Sequence, residues 1–560
     1  MKKLLGILLA LLLAGPGALA HAATAADADA EIVFAQDAAQ VHGAGASAAG
    51  TTVTIRAPGT YRVTGACDDG QIIIDAGKNA VVRLVLDGLT LANATTSPLY
   101  AIKARETVLV LADGSVNTLA DGAAYLFPDG GDEPDAAVFV VDDLRITGQG
   151  ALHVRGEYRN GIAAKDYLVI EGGDIHVRAV HDGVRGRDGL TVLGGSLTVQ
   201  AGGDGLKANN DEHPQRGTVV LAGGVFAITA GRDGIQAETS LRITGGSYHI
   251  RTSGGADGAP VRQAQAGGGW RGRRAPEQPE EETESMKALK AGTALIVEGG
   301  AFTLDAQDDA VHANGDVTIT GGSFRIQTGD DGFHADNALR IEGGDIRVTR
   351  SYEGLEGATV DICGGTLYVE ATDDAINAAG GSDASDADGR DRFRVNDNRY
   401  VRISGGVVEA YGATDGIDAN GHVYLEGGTV SVSARSQGMS GAVDMDGRFL
   451  ITGGTLITAG SALMPDAAST QPSILLTYED TCAAGSHITL LDAQGRTLLA
   501  YTSRIAFSAS ALTSPDLVVG ETYTLCIDGE PRAQITLQAG VTALSESGGR
   551  YSLGGWGGGW

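Results

Sequence analysis

The sequence predicts an all-β fold, a parallel β-helix of about 22 residues per rung, and three observations carry that prediction. Gly-Gly pairs begin at residues 172, 194, 223, 245, 299, 321, 343, 364, 405, 427 and 453, and most intervals are 22 residues. A second mark recurs in phase with them, a polar residue followed by a small and then an apolar one. Asp182-Gly183-Val184, Asp204-Gly205-Leu206, Asp331-Gly332-Phe333 and Asp415-Gly416-Ile417 are examples. Between the marks apolar residues alternate with polar ones. Leu339, Ile341, Ile346 and Val348 form one face around a Gly343-Gly344 corner, and Arg340, Glu342 and Arg347 form the other. Phe333 and Ala335 are expected to point in and His334 out. A propeller blade needs about 40 residues, and a leucine-rich repeat would carry a Leu consensus and an Asn ladder that are absent.

Residues 1–22 read as a secretory signal. Lys2 and Lys3 precede an apolar run at 4–14, and Ala18-Leu19-Ala20 or Ala20-His21-Ala22 offers the cleavage site. A secreted, extracellular protein is expected, without a membrane span, since no later stretch reaches the ~18 apolar residues required. Residues 23–79 form an N-terminal cap and β-rich lead-in. The array covers 80–465, with clear rungs from about 160 to 455 and weaker ones at 84–91, 102–111 and 138–146. Two insertions interrupt it, a low-complexity segment at 253–285 expected to be disordered and an Asp/Gly/Asn-rich loop at 379–398. Segment 466–545 loses the period. Its stretches 474–478, 488–491, 497–503 and 523–527 read as antiparallel strands of a small cap, followed by a Gly/Trp tail at 546–560.

Composition agrees. Glycine is 85 of 560 residues while proline is only 13, which excludes collagen and a Pro-rich disordered chain and calls for many tight turns. Aromatics at 5% leave the core to small aliphatics. A net charge of −29 argues against a nucleic-acid partner and makes Ca2+ the first cofactor to consider. Of four cysteines, Cys482 and Cys526 flank one β-rich segment and are candidates to pair, and Cys363 reads as a buried thiol. No zinc spacing occurs.

Stacking turns a repeat position into a column. The residue before the small one reads Asn160, Asp182, Asp204, Asp233, Lys287, Asp309, Asp331, Glu353, Asp374, Asp415 and Gln437. Equivalent side chains in neighbouring rungs lie ~4.8 Å apart, so one calcium could reach carboxylates from both. Asp308, Asp309, Asp330, Asp331, Glu353, Glu356, Asp373 and Asp374 exceed what turn-capping needs and are the candidate metal ligands. A second column runs Arg185, Lys207, Gln236, Lys290, His312, His334, Glu356, Asn377 and Asp418. It is expected to face outward. From it Lys207, Lys290, His312, His334, Asn377 and Asp418 are candidate carbohydrate contacts. No Gly-x-Ser-x-Gly elbow or His-Glu-x-x-His motif supports catalysis, and no catalytic residue is assigned.

Residues 202–210 (Gly-Gly-Asp-Gly-Leu-Lys-Ala-Asn-Asn), 231–238, 286–291 (Met-Lys-Ala-Leu-Lys-Ala), 329–337 (Gly-Asp-Asp-Gly-Phe-His-Ala-Asp-Asn), 351–357 and 373–381 resemble the exported carbohydrate-binding β-helix proteins of clostridia and relatives. The resemblance covers about 80–465. It implies a right-handed parallel β-helix similar to pectate lyases, binding of cellulose and polygalacturonate, and several calcium ions held by the acidic columns. A monomeric, non-catalytic polysaccharide-binding protein is the leading expectation. The first alternative is a calcium-dependent pectate lyase with Lys207 or Lys290 as base, against charge pairing of those lysines with the Asp column. The second is a surface adhesion scaffold.

Overall fold

The computed structural model describes residues 28–127, 130–259, 284–379, 395–434 and 441–549. The signal segment, most of both insertions, Gln437 and the Gly/Trp tail lie outside them. The described residues are strand and turn almost throughout, with one short 3-10 turn at Ala256–Gly258. The chain divides into two compact units, Met1–Arg187 with Thr191–Thr198, and Asp188–Leu190 with Val199–Trp560.

In the first unit Ala30–Phe34 folds back antiparallel on Ala39–Gly43 and pairs in parallel with Gly59–Cys67. The long strand Gln71–Asn93 then runs parallel to Gly59–Cys67 and to Leu99–Leu111. Further on, Asn160–Ala164 is flanked in parallel by Ala136–Val140 and Val184–Gly186.

In the second unit the repeat becomes three stacks of parallel strands. One stack holds Leu206–Ala208, Ile235–Ala237, Leu289–Ala291, Val311–Ala313 and the strands beginning at Phe333 and Leu355. Val311 lies beside Phe333, and Phe333 beside Leu355. A second stack runs through Leu295, Val317 and Leu339, and a third through Phe302, Phe324 and Ile346. The alternation read from the sequence sets the faces: Leu339, Ile341, Ile346 and Val348 are fully buried. The Gly pair makes the corner for two reasons. Gly344 adopts φ 103°, and a Cβ on Gly343 would stand 2.7 Å from the Thr320 carbonyl oxygen of the preceding turn.

The core departs from the small-aliphatic expectation at one place. Phe226, Tyr248, Phe302 and Phe324 occupy the same inward position of successive strands and stack with ring centroids 4.5–4.7 Å apart. Strand spacing in the third stack imposes that distance, so few aromatics suffice for a continuous ladder.

The 253–285 insertion is anchored where it is described. Asp257 pairs with Arg350 at 2.6 Å, and Ser285 donates to Asp233 at 2.7 Å. The repeat after Ile417 also differs from its sequence reading. Gln437 and Met439 lie outside the described residues, and the ladder passes from Gly416 to Gly441 and from Ile417 to Ala442. Asp444 therefore follows Asp418 in the second column.

Beyond the array, Ser473–Cys482 pairs antiparallel with Phe507–Thr513 and parallel with Val541–Ser545. A separate antiparallel sheet contains Thr497–Thr502, His487–Leu491, Thr522–Ile527 and Glu530–Thr536. Cys482 and Cys526 therefore stand on different sheets, and both are buried free thiols. Cys363 is partly exposed, because it sits at the outer end of its strand beside the Gly corner.

Candidate functional site

The aspartate column has a defined backbone task. Asp204 Oδ1 accepts the Asp233 N–H at 3.0 Å, and Asp233 Oδ1 accepts the Lys287 N–H at 2.8 Å. Asp309 Oδ1 then accepts Asp331 N–H at 3.0 Å, and Asp331 Oδ1 accepts Glu353 N–H at 3.2 Å. Asp374 and Asp415 repeat the bond to Asp415 and Gly441 at 2.8 and 2.5 Å. One oxygen of each of these carboxylates thus caps the next turn of chain, which leaves the second oxygen free of the backbone.

The second column meets that oxygen, which corrects the expectation that it faces solvent. His312, His334 and Asn377 are only 5%, 2% and 5% exposed. Lys207 pairs with Asp204, and Lys290 lies 3.5 Å from Asp233. Asp418 is partly exposed and strongly desolvated. The two columns close into one polar seam because second-column side chains lie back against column carboxylates, Lys207 on Asp204, His312 on Asp309 and His334 on Asp331 within one rung, and Lys290 on Asp233 and Asn377 on Glu353 between rungs. A polymer cannot lie across the buried members.

The seam has two halves. The first is neutralised from within. Lys287 Nζ lies 2.6 Å from Asp309 and 3.0 Å from Asp308. Burial works to discharge Lys287, but Asp309 and Asp308 outweigh it and hold the ammonium charged. Asp309 also meets His312 Nδ1 at 2.8 Å. Despite its burial, Lys287 and His312 hold it well below the usual carboxylate range. His334 Nδ1 stands 2.6 Å from Glu356 and 3.0 Å from Asp331, and its Nε2 stands 3.2 Å from Asp336. Burial opposes its charge, yet bonds to Asp331 and Glu356 push it up to about 12, so it is an imidazolium. Asp331 is raised well above the usual carboxylate range by burial and by the charge of Asp330.

The second half has carboxylates only. Burial, then Asp418, Asp415 and Asp373, pushes Asp374 up to about 9. Asp415 rises to about 8 through burial and the charges of Asp418 and Asp444, and Asp418 to about 7 through burial, Asp444 and Asp446. Glu353 is raised by burial, Glu356 and Asp374. Asn377 donates to Glu353 at 2.9 Å, while its buried Oδ1 has no hydrogen-bond partner among the described residues. Hard oxygen donors and excess negative charge suit a calcium ion, and Asn377 Oδ1 is one more oxygen able to join them.

Of the eight candidate metal ligands, Asp308, Asp309, Asp330, Asp331 and Glu356 gather with His312 and His334. Three triads there have ligand atoms within 4.8 Å of one another. Asp373 and Asp374 belong instead with Asp415 and Asp418, and Glu353 bridges the halves. The sequence reading missed Asp444 and Asp446, whose signal is the Asp-Met-Asp spacing after a misplaced rung.

A family described as carbohydrate-binding domain-containing proteins matches residues 49–332 and 331–473. The chain belongs to that family. A carbohydrate-binding domain-containing protein of Acetivibrio thermocellus is 39% identical over 155 residues, which are 27% of this chain and 54% of that one. The chain thus spans about half the length of the curated relative it matches. A solved structure, the polysaccharide lyase-like protein from C. thermocellum in a gadolinium derivative, aligns with TM-score 0.40 and 36% identity over 40% of this chain and 92% of that one. Lys207 and Lys290, the candidate bases of the alternative lyase reading, are engaged by Asp204 and Asp233.

Proposed function

We propose that this chain is a secreted, calcium-binding, non-catalytic protein that holds plant cell-wall polysaccharide, polygalacturonate or cellulose, on a right-handed parallel β-helix. Membership of a carbohydrate-binding family supports the polysaccharide partner. The observation that carries the calcium assignment is the carboxylate-only half of the seam with the orphaned Asn377 Oδ1. Glu353, Asp373, Asp374, Asn377, Asp415 and Asp418 would hold the ion there. Bound calcium would neutralise their charge and lock neighbouring turns of chain. Asp308, Asp309, Asp330, Asp331 and Glu356 form the neighbouring candidate group, already partly neutralised by Lys287 and His334.

The non-catalytic reading rests on the lysines. A lyase base must be free to take the proton beside a uronate carboxylate. Lys207 and Lys290 are held by carboxylates, and Lys287 is buried and firmly charged. Sedimentation with polygalacturonate and with cellulose, run beside an ultraviolet assay for unsaturated product, tests the whole reading. Binding without product supports it; steady product growth would make the protein a lyase, and binding to neither polymer would remove the polysaccharide assignment.

A further inference from the structure

The third stack carries an outward row that the seam does not explain. Arg325 lies directly beside Arg347, Arg347 beside Tyr368 and Tyr368 beside Glu409, and two residues further along the last strand pair Glu370 lies beside Tyr411. Arg325 and Arg347 are exposed, and neither forms a salt bridge among the described residues. Like charges opposite each other on adjacent strands, ~4.8 Å apart, repel. In a chain of net charge −29 such a pair is conspicuous, because carboxylates are plentiful and, although Glu370 feels the charge of Arg347, none forms a salt bridge with either arginine among the described residues.

Stacking fixes the rest of the row. The Arg347 guanidinium carbon sits 4.0 Å from the Tyr368 ring centroid. Arg504 reaches in from the C-terminal segment, with its guanidinium carbon 5.3 Å from Tyr368 and 5.6 Å from Tyr411. It bonds Glu370 at 2.9 Å, and Tyr368 donates to the same carboxylate at 3.0 Å. A guanidinium laid on an aromatic face can keep its N–H edge for bidentate bonding to a carboxylate, as Arg347 does, while Arg504 spends part of its edge on Glu370. The row therefore presents fixed donors for anions beside tyrosine rings suited to sugar faces.

We infer that Arg325, Arg347, Tyr368, Tyr411 and Arg504 form the surface on which a uronate-bearing polysaccharide lies, its carboxylates on the guanidinium edges. The inference rests on the polysaccharide reading above and separates the polymer face from the calcium seam. Charge complementarity selects the occupant, since a neutral glucan would leave the Arg325–Arg347 repulsion unrelieved.

The test uses the full chain, polygalacturonate, fully methyl-esterified pectin and cellulose, at one fixed calcium concentration. Arg325→Gln/Arg347→Gln alters only exposed side chains, and a melting curve checks its fold. The double variant should bind polygalacturonate at least about tenfold more weakly, because two charge-assisted bonds are lost. Binding of the unaltered protein should fall with added salt and with esterification. Single Arg325→Gln, which removes no salt bridge among the described residues, should show part of the loss. A double variant that binds polygalacturonate as the unaltered protein does would overturn this face while leaving the polysaccharide reading intact. Equal losses on esterified pectin and cellulose would also overturn it, since the row would then act without its charge. An unaltered protein that ignores every glycan removes the polysaccharide reading and this face with it.

Discussion

Removing calcium should make stability fall with rising pH, and the carboxylate-only half of the seam sets the window. Asp418, Asp415 and Asp374 titrate at about 7, 8 and 9 in the folded chain, well above the usual aspartate range. Each takes up a proton on folding. Its favourable contribution is complete below about pH 4, where the unfolded chain is also protonated, and is lost as pH rises through the folded value. Ionising Asp418 in place costs on the order of 4 kcal/mol, since about 1.4 kcal/mol accompanies each pH unit between its usual and shifted values. The carboxyls repel one another, so such values belong to the group and do not add. A loss of several kcal/mol between about pH 5 and 9 should move the melting midpoint by at least several degrees. The assay is thermal melting across that range, in chelator and in calcium at matched ionic strength. With calcium the carboxylates stay ionised, so the two curves should diverge as pH rises. Asp374→Asn/Asp418→Asn should flatten the chelator curve and remove the divergence. Parallel curves for the unaltered chain would refute the argument.

Three further outcomes follow from the packing. Lys287→Ala strands Asp309 in a buried site and should cost ~3–5 kcal/mol in chemical denaturation, without abolishing calcium binding measured by calorimetry. Asp309→Asn/Asp331→Asn keeps the backbone caps, so it should lose stability through the broken Lys287 and His334 pairs while retaining the Asp374–Asp418 ion by titration. Phe302→Ala breaks the four-ring ladder at its middle and should cost ~3–5 kcal/mol in the same denaturation assay, with glycan binding unchanged.

Much of this was legible in the sequence because a stacked fold turns spacing into contact. The Gly pairs located the corners, and the Asp-Gly-apolar mark located the strands of the first stack. The second column even carried the charge gradient that divides the seam, from Lys207, Lys290, His312 and His334 to Asn377 and Asp418. Its direction was harder to read. A residue that alternates outward is ordinarily solvated, but here Asp309 and Asp331 each turn one oxygen to the next backbone N–H and the other to the histidine three further on. That folds His312 and His334 out of solvent, and single-residue alternation does not encode it. Asp444 was missed because the rung after Ile417 starts at Gly441, not at the Gln437-Gly438-Met439 match to the same pattern. The Arg325–Arg347 row drew no notice because its residues belong to a column with no repeated residue type, and Arg504 joins it from 134 residues beyond Glu370.

The division between seam and row also explains how one acidic chain can serve an acidic polymer. A surface of net charge −29 repels uronate, and burying carboxylates would ordinarily worsen the fold without changing that long-range field. Calcium in the seam would offset local charge where desolvation makes repulsion strongest. The outward row then needs only a few unpaired guanidinium groups, because contacts at hydrogen-bond range are less screened than the distant field. On this account chelation and substitution of the row act through separate routes. Chelation weakens binding in proportion to lost structure, and it does so for cellulose and polygalacturonate alike. Arg325→Gln/Arg347→Gln weakens only the carboxylate-bearing polymer, at unchanged melting midpoint. A row variant that lowered the chelator-sensitive midpoint would join the two sites into one and refute their separation.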